Sequence, residues 1–275
     1  MRVAVAFVVF AACGPTDRDM PAADAPSQVI PDSEQPVTSR VYAHSGNTLY
    51  LMNSLTLATS TIGTMAGLGT QSLTDLAIDK NDTIVGITLD KLYSIDAATG
   101  TATLIKDLSQ SARNFTSLSF VPEDLNDPAS ADILVAANSF GDVFRIDPAT
   151  GDGTMLGNYG TVALGQVKSS GDLFGVRGVG IFATVDVGDT PSMDYLATVD
   201  PVTWKATPIG SGTGFDRIFG LGYWGGKIYG FVDLGTGSGG QMIQIDQNTG
   251  VGTLLSSSGV RWFGAGVATD APVFQ

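Results

Sequence analysis

A short motif recurs along this chain and constrains its fold more than any other feature. In each copy an alternating apolar run ends in Asp or Asn, and Thr follows three residues later. The acidic or amide positions are Asn53, Asp96, Asp147, Asp200 and Asp246. They lie 43, 51, 53 and 46 residues apart. A period of about 40–50 residues is typical of a four-stranded propeller blade, so the motif predicts five such units.

The residues within each copy favour a strand, a tight turn and a second strand. The side chain of Asp can accept hydrogen bonds from backbone N–H groups two residues further on. Pro148 and Pro201 preset φ for such a turn, and Gly100, Gly151 and Gly250 accept the positive φ that closes it. The repeated Asp could also be interpreted as metal ligands. Each copy lies in a separate hairpin, however, and turn chemistry accounts for its carboxylate.

Each unit also contains an upstream strand that alternates between large apolar and small residues. Small residues on one face let five strands approach a common axis. The predicted inner strands are 74–78, 116–120, 162–166, 219–223 and 263–267. The last of them follows the fifth motif, whereas the N-terminal unit has no inner strand of its own. We therefore predict an all-β, five-bladed β-propeller of four-stranded blades, in which residues 262–269 complete the blade begun by residues 41–63.

The composition excludes several kinds of site and partner. A single Cys excludes an internal disulfide framework and a Cys-rich zinc site, and a single His excludes a centre of several His ligands. The formal charge of −13 and pI near 4.2 argue against nucleic acid, because phosphate binding needs a basic surface. We expect no cofactor, no bound metal and a monomer. A calcium site in the acidic loop 123–132 stays open beside the simpler interpretation as a solvated loop.

The N-terminal residues have the pattern that is typical of an export signal. Arg2 precedes an apolar run of ten residues, Val3 to Ala12. A bilayer span needs about 20 apolar residues, so this run is a signal-peptide core rather than a transmembrane helix. It ends in Phe10-Ala11-Ala12-Cys13, which resembles the lipobox of bacterial lipoproteins, although that family prefers Leu where Phe10 stands. An ordinary secretory signal followed by an accidental Cys is the alternative.

The lipobox resemblance implies that residues 1–12 are removed and that Cys13 carries the lipid. Residues 13–40 then form a Pro- and Asp-rich tether, and residues 41–275 form the propeller. Several acyl chains on one residue give a stable membrane anchor. Gly14, where inner-membrane lipoproteins of enteric bacteria carry Asp, implies the outer membrane. The expected location is therefore the bacterial cell envelope, lipid-anchored at the outer membrane.

The repeated strand–Asp-x-x-Thr-Gly–strand units resemble bacterial β-propellers of the quinoprotein-dehydrogenase-like group. In those dehydrogenases a docking Trp follows the Gly of each turn. Here the corresponding residues are Thr103, Thr154, Thr207 and Thr253. The resemblance therefore implies the architecture, and the missing Trp argues against a quinone cofactor.

Basic and aromatic residues precede three of the predicted inner strands. Arg113, Arg217 and Arg261 each lie a few residues before an inner strand, with Asn114 and Trp262 beside them. In blade topology these positions surround one mouth of the channel. A ring of guanidinium groups with aromatic neighbours could bind a carboxylate, a phosphate or an acidic sugar. The alternative is that each Arg pairs with an Asp of a neighbouring blade and braces the ring.

The sequence favours a non-catalytic binding or scaffolding module for an envelope protein or an anionic glycan. The alternative is a glycoside hydrolase or lyase of the five-bladed propeller type, which needs paired carboxylates at the channel. Only Asp75 is predicted to project near the inner ring. The equivalent residues in the other blades are predicted to be Ser117, Ala163, Gly220 and Gly264. This missing partner argues against the enzyme.

Overall fold

The structure is a computed structural model that describes residues 40–108, 114–189 and 192–274. These ranges contain 21 strands and no α-helix, and thus no helix of the length and apolarity that a membrane span requires. The first eleven strands are β1 (Val41–His44), β2 (Thr48–Met52), β3 (Thr59–Thr64), β4 (Asp75–Ile78), β5 (Ile84–Ile87), β6 (Lys91–Ile95), β7 (Ala102–Asp107), β8 (Phe115–Pro122), β9 (Asp132–Asn138), β10 (Asp142–Ile146) and β11 (Gly153–Asn158). The remaining ten are β12 (Thr161–Val162), β13 (Gly165–Val176), β14 (Gly180–Val187), β15 (Tyr195–Val199), β16 (Ala206–Pro208), β17 (Ile218–Trp224), β18 (Lys227–Asp233), β19 (Gly240–Ile245), β20 (Gly252–Ser258) and β21 (Gly264–Val267).

The strands form five antiparallel sheets, which are the five blades of a β-propeller. Blade 1 has the order β21-β1-β2-β3, blade 2 is β4 to β7, blade 3 is β8 to β11, and blade 5 is β17 to β20. Blade 4 is β13 to β16, with the short β12 as a fifth strand beside β13. The inner strands β21, β4, β8, β13 and β17 contact one another in ring order. The predicted five-bladed propeller is therefore confirmed.

The C-terminal strand closes the ring as the repeat predicted. β21 pairs antiparallel with β1, and Val41 lies opposite Val267 while Ala43 lies opposite Ala265. All four residues of β21 are buried. Closure by strands from both chain ends leaves no open sheet at the seam between them.

The repeated turns have the predicted chemistry. In blade 2, Asp96 Oδ1 accepts hydrogen bonds from the N–H groups of Ala98 and Thr99 at 3.0 and 2.8 Å. Hydrogen bonds lower the pKa of the motif's four Asp carboxyls, chiefly from the Thr99 hydroxyl in Asp96 and from backbone N–H groups in the other three. Three copies close the turn with Gly at a φ of 73–76°, whereas Trp204 and Leu57 close the other two at a φ of 60° and 59°. Trp204 is buried, and its packing offsets a backbone conformation that L-residues rarely adopt.

The predicted inner strand of blade 4 is wrong. Residues 162–166 form the end of β12, a tight turn and the start of β13, and the exposed fraction of Leu164 is 69%. The strand that packs at the axis is the later part of β13, beyond a register irregularity between Ser169 and Leu173. Gly171 permits this packing, because a Cβ there would lie 2.2 Å from the carbonyl oxygen of Ile218 in blade 5.

Candidate functional site

One mouth of the central channel, here called the upper mouth, opens into a cavity of about 810 Å³. This volume lies within the roughly 300–1,000 Å³ that is usual for ligand pockets. The lining residues come from all five blades and lie at the starts of inner strands or in the connections beside them. They are Gln71, Ser72, Leu73, Thr74, Thr88, Leu89, Asp90, Asn114, Thr116, Ser170, Gly171, Phe219 and Phe263.

Blade 2 supplies a polar wall of this cavity, formed by Gln71, Thr88 and Asp90. Gln71 Nε2 donates to Asp90 Oδ1 at 2.9 Å, and Thr88 Oγ1 donates to the same oxygen at 3.1 Å. Tyr93, which is buried, donates its hydroxyl to Gln71 Oε1 at 3.4 Å. Thr88 Oγ1 accepts the backbone N–H of Lys91 at 2.9 Å. These bonds fix the carboxylate of Asp90 at the cavity wall.

Two aromatic rings, one from blade 5 and one from blade 1, complete the lining of the cavity. Phe219 at the start of β17 and Phe263 just before β21 both face the cavity. The guanidinium carbon of Arg217 lies 5.5 Å from the centre of the Phe219 ring, and that of Arg261 lies 4.9 Å from the centre of the Phe263 ring. Each ring is therefore held in place by a cation–π contact with an Arg from its own connection.

Two of the three arginines of the predicted ring, Arg217 and Arg261, contact one carboxylate. Arg261 donates through Nε and Nη2 to the two oxygens of Asp233, at 2.7 Å each, and Arg217 Nη2 binds Asp233 Oδ2 as well. Burial alone would raise the pKa of the Asp233 carboxyl, but the hydrogen bonds and charges of both Arg hold it below its usual value. The carboxylate in turn raises the pKa of Arg261. The pairing of Arg261, just before β21 of blade 1, with Asp233 on β18 of blade 5 has the form of the inter-blade bracing left open as the alternative, whereas Arg217 and Asp233 belong to the same blade.

The other predicted ligand-binding residues do not lie together at the cavity. Asn114 lines the cavity, whereas Arg113 lies outside the described residues. Trp262 is buried in the core, with its ring 5.3 Å from that of Tyr50 and 5.5 Å from that of Phe231. A role of the arginines in binding an anion stays a prediction. Of the two described here, Arg217 makes only one side-chain hydrogen bond within the described residues and is the more exposed.

Two carboxyl groups meet below the cavity, at what we call the waist of the channel. Asp75 in blade 2 and Asp172 in blade 4 are completely buried and joined by a side-chain hydrogen bond. Blades 2 and 4 are not neighbours in a ring of five, so this bond spans the axis. The interpretation of Asp75 as the only carboxylate near the inner ring is therefore wrong. Asp172, and not Ala163, is its equivalent in blade 4.

Each waist carboxyl also joins its own blade to the next one. Asp75 accepts the N–H groups of Leu76 and, from blade 3, of Leu118, at 2.8 and 2.7 Å. Asp172 accepts those of Leu173 and, from blade 5, of Leu221, at 2.6 and 2.5 Å. Burial raises the pKa of both carboxyls well above the usual value. One proton shared between them removes the repulsion of two buried charges.

The geometry of the waist differs from that of a glycosidase. Glycosidase carboxyl pairs lie about 5–10 Å apart on either side of a bound sugar. At the waist the two carboxyl groups bond each other directly, and all four oxygens accept backbone N–H groups without exposure to solvent. Such a pair holds the blades together and leaves no room for a sugar between its oxygens.

His44, the only His of the chain, lies beside the waist on β1. It is completely buried, and its Nδ1 lies 2.7 Å from the carbonyl oxygen of Ser45. A Cβ added to Gly264 would lie 2.4 Å from His44 Nε2 and 2.5 Å from Asp75 Oδ1, so only Gly fits between them. Burial lowers the pKa of His44 to about 4. The imidazole is therefore neutral at physiological pH.

The lower end of the channel is filled by a buried ion pair. Arg177, in the turn between β13 and β14, donates through Nη2 to Asp132 Oδ1 of blade 3 at 2.6 Å. Its Nη1 donates to Thr269 Oγ1, and Thr269 donates to Asp132 Oδ2. Thr269 follows β21 of blade 1, which is not a neighbour of blade 4, so these bonds also cross the axis. These side chains lie away from the residues that line the cavity of the upper mouth.

The acidic loop 123–132 uses two of its carboxylates in ion pairs. Asp132 binds Arg177 as described, and Glu123 lies 3.3 Å from Arg145. Within the described ranges, no group of three or more His, Cys, Asp or Glu side chains is placed to hold a metal ion. The calcium site left open by the sequence therefore gains no support from this part of the chain.

Comparison with known proteins assigns no family to this chain. No family model matches it, and no curated protein matches it. Among solved structures it is similar to a protein of unknown function from Bacteroides thetaiotaomicron, with 13% identity over 84% of this chain and 64% of that one and a TM-score of 0.49. It is also similar to a protein from Lactobacillus plantarum, with 15% identity over 82% of this chain and 70% of that one and a TM-score of 0.41.

A third similar structure is Sqt1 of Saccharomyces cerevisiae, with 14% identity over 82% of this chain and 60% of that one and a TM-score of 0.42. The chain thus spans less than two thirds of the Bacteroides and Saccharomyces proteins. The resemblance to the quinoprotein-dehydrogenase-like group stays a prediction.

Proposed function

We propose that this chain is a non-catalytic binding module for a glycan, held at the bacterial cell envelope by a lipid on Cys13. The observation that carries the binding role is the cavity of about 810 Å³ at the upper mouth, lined by two aromatic rings and a hydrogen-bonded polar wall. Sugars present both apolar C–H faces and hydroxyl groups, and these two kinds of lining complement them. A concave cavity of this size suits one or two sugar units better than the surface of a partner protein.

An acidic group on the same glycan would meet Arg217 at the rim of the cavity. Its guanidinium has unused donors within the described residues, and its side chain is 41% exposed. Arg261 is less suited to bind an acidic group, because its Nε and Nη2 already donate to the two oxygens of Asp233. Arg217 is thus the residue of the predicted anion site on which an acidic sugar would depend.

A glycan array tests the binding role. The full chain, purified in detergent and fluorescently labelled, should bind a subset of glycans, and Phe263→Ala should abolish that binding because it removes a cavity wall. Phe140→Ala is the matched control, since Phe140 is 58% exposed and does not line the cavity. If no glycan is bound, or if both variants bind like the wild type, the proposal fails.

The glycoside hydrolase alternative depends on the same array. Its carboxylates would be Asp75 and Asp172, whose burial and mutual hydrogen bond argue for binding without hydrolysis. Any glycan that binds should therefore be recovered intact after prolonged incubation. Cleavage that is lost in Asp172→Asn but retained in the exposed control Asp152→Asn would establish the enzyme instead.

The anchor is tested independently of the ligand. Cys13→Ser should prevent lipid attachment and release the protein from the membrane fraction, because no other Cys is present to carry the lipid. Pro15→Ala, two residues away, should leave fractionation unchanged. A Cys13→Ser protein that still sediments with membranes at unchanged mobility would show that the lipobox interpretation is wrong.

A further inference from the structure

The polar wall of the cavity holds a carboxylate in a fixed position with one oxygen left for a ligand. Asp90 Oδ1 takes the hydrogen bonds from Gln71 and Thr88, whereas within the described ranges Oδ2 has only Lys91 Nζ near it, at 3.7 Å. The side chain of Asp90 is 38% exposed at the cavity. Its supporting residues Thr88 and Tyr93 are buried. The carboxylate is therefore preorganised rather than mobile.

The chemistry of this wall discriminates between ligands by charge and by hydroxyl content. A carboxylate oxygen accepts hydrogen bonds from hydroxyl groups, and such charge-assisted bonds are stronger than bonds between neutral groups. The same oxygen repels a ligand carboxylate, since among the described residues Lys91 is the one cation paired with it, and its Nζ at 3.7 Å does not reach hydrogen-bonding distance. Gln71 adds an amide that can both donate and accept.

Resting on the proposed function, we infer that the sugar unit inside the cavity is neutral and is selected by hydroxyl groups that donate to Asp90 Oδ2. Its apolar face lies against Phe263 or Phe219, the two rings that line the cavity and are held by cation–π contacts with Arg261 and Arg217. An acidic unit is excluded from the interior and confined to the rim. Asp90 is therefore the residue that determines specificity in the cavity.

Titration calorimetry on the full chain in detergent tests this inference. The probes are the neutral disaccharides cellobiose, maltose, lactose and N,N′-diacetylchitobiose, followed by competition with glucose and with glucuronate. We expect at least one disaccharide to bind, Asp90→Asn to weaken it at least tenfold, and glucose but not glucuronate to displace it. Asp152→Asn, which removes the same charge from an 80% exposed side chain, should change the affinity less than twofold.

A second variant keeps the test valid if Asp90→Asn disturbs the fold. Gln71→Met removes the amide that positions Asp90 and should weaken the same disaccharide at least threefold. The inference is overturned if a disaccharide requires Phe263 but binds Asp90→Asn as tightly as the wild type, or if glucuronate displaces it as well as glucose does. Those results leave the binding function intact. If no glycan on the array or disaccharide binds, the proposed function itself fails.

Discussion

Asp75 and Asp172 form a hydrogen bond with each other across the axis of the propeller, and both join neighbouring blades. Each carboxyl accepts an N–H group from its own inner strand and one from the next blade. Four of the five blades are thereby linked at one level of the channel. Because the pair is completely buried, this link depends on its protonation state.

The waist predicts that the protein loses stability as pH rises. Burial raises the folded-state pKa of both carboxyls well above the usual 3.8, so above that pH the unfolded chain releases protons that the folded pair retains. The contribution of the pair to the free energy of unfolding should therefore decrease from about pH 4 upward, until the pair itself loses its shared proton. Asp194 acts in the same direction, because burial raises its pKa to about 7. Denaturant unfolding between pH 4 and pH 9 measures the slope.

The variant Asp75→Asn distinguishes the contribution of the waist to the pH dependence of stability from that of other titrating groups. Its amide can donate to Asp172 in place of the shared proton but conflicts with one backbone N–H, which costs about 1–3 kcal/mol at pH 5. The pH slope should be shallower in this variant than in the wild type. Equal slopes in both proteins would contradict the shared proton.

His44 predicts a loss of stability on the acid side. Burial lowers the folded-state pKa of His44 to about 4, whereas the unfolded chain has the ordinary value of 6.5. Between these two pH values the unfolded chain binds a proton on His44 and the folded chain does not. The free energy of unfolding should decrease between pH 6.5 and pH 4 by about 3 kcal/mol from this group alone. His44→Gln should remove that contribution.

NMR offers a direct check on the same group. The chain has a single His, so the one pair of imidazole C–H signals, from Cδ2 and Cε1, belongs to His44. Their chemical shifts should stay constant between pH 7 and pH 5 in the folded protein. A shift with a midpoint near 6.5 would show that the ring is accessible to protons from water.

The fold was predictable because its signals are local. The Asp of each motif accepts N–H groups two and three residues away, as in Asp96 with Ala98 and Thr99, and such contacts are specified by adjacent residues. Closure by β21 followed from counting strands. The alternation of Val162 to Gln166 was misleading, because a short hairpin and an inner strand share the same pattern.

The site was less predictable because its contacts join distant parts of the chain. Asp172 begins the same Asp-Leu dipeptide as Asp75, but Asp107, Asp124 and Asp233 do so too, and the dipeptide alone does not single it out. The pairing of Arg177 with Asp132 has no such signal. It joins residues 45 positions apart that lie in the neighbouring blades 3 and 4.

The C-terminal strand predicts that truncation unfolds the whole propeller. Deletion of residues 262–275 removes β21 and Trp262 and exposes the inner edge of β1. We expect loss of the cooperative thermal transition and binding of a hydrophobic dye, because an exposed edge strand and an open core remain. Deletion of residues 274–275 alone is the control, since Phe274 is 86% exposed. A normal transition after the longer deletion would contradict the closure.

The buried ion pair at the lower end of the channel predicts that Arg177 contributes strongly to the free energy of unfolding. Its side chain is 10% exposed and its partner Asp132 is 5% exposed, so removal of the guanidinium leaves a buried carboxylate without its cation. Arg177→Met should lower the free energy of unfolding by about 3–5 kcal/mol, as expected for one half of a buried ion pair. Arg145→Met is the matched control, because its pair with Glu123 is more than half exposed and should contribute less than about 1 kcal/mol. Adding Asp132→Asn to Arg177→Met removes the unpaired charge and should recover part of the loss. If the double variant is less stable than Arg177→Met, the penalty does not come from the unpaired carboxylate.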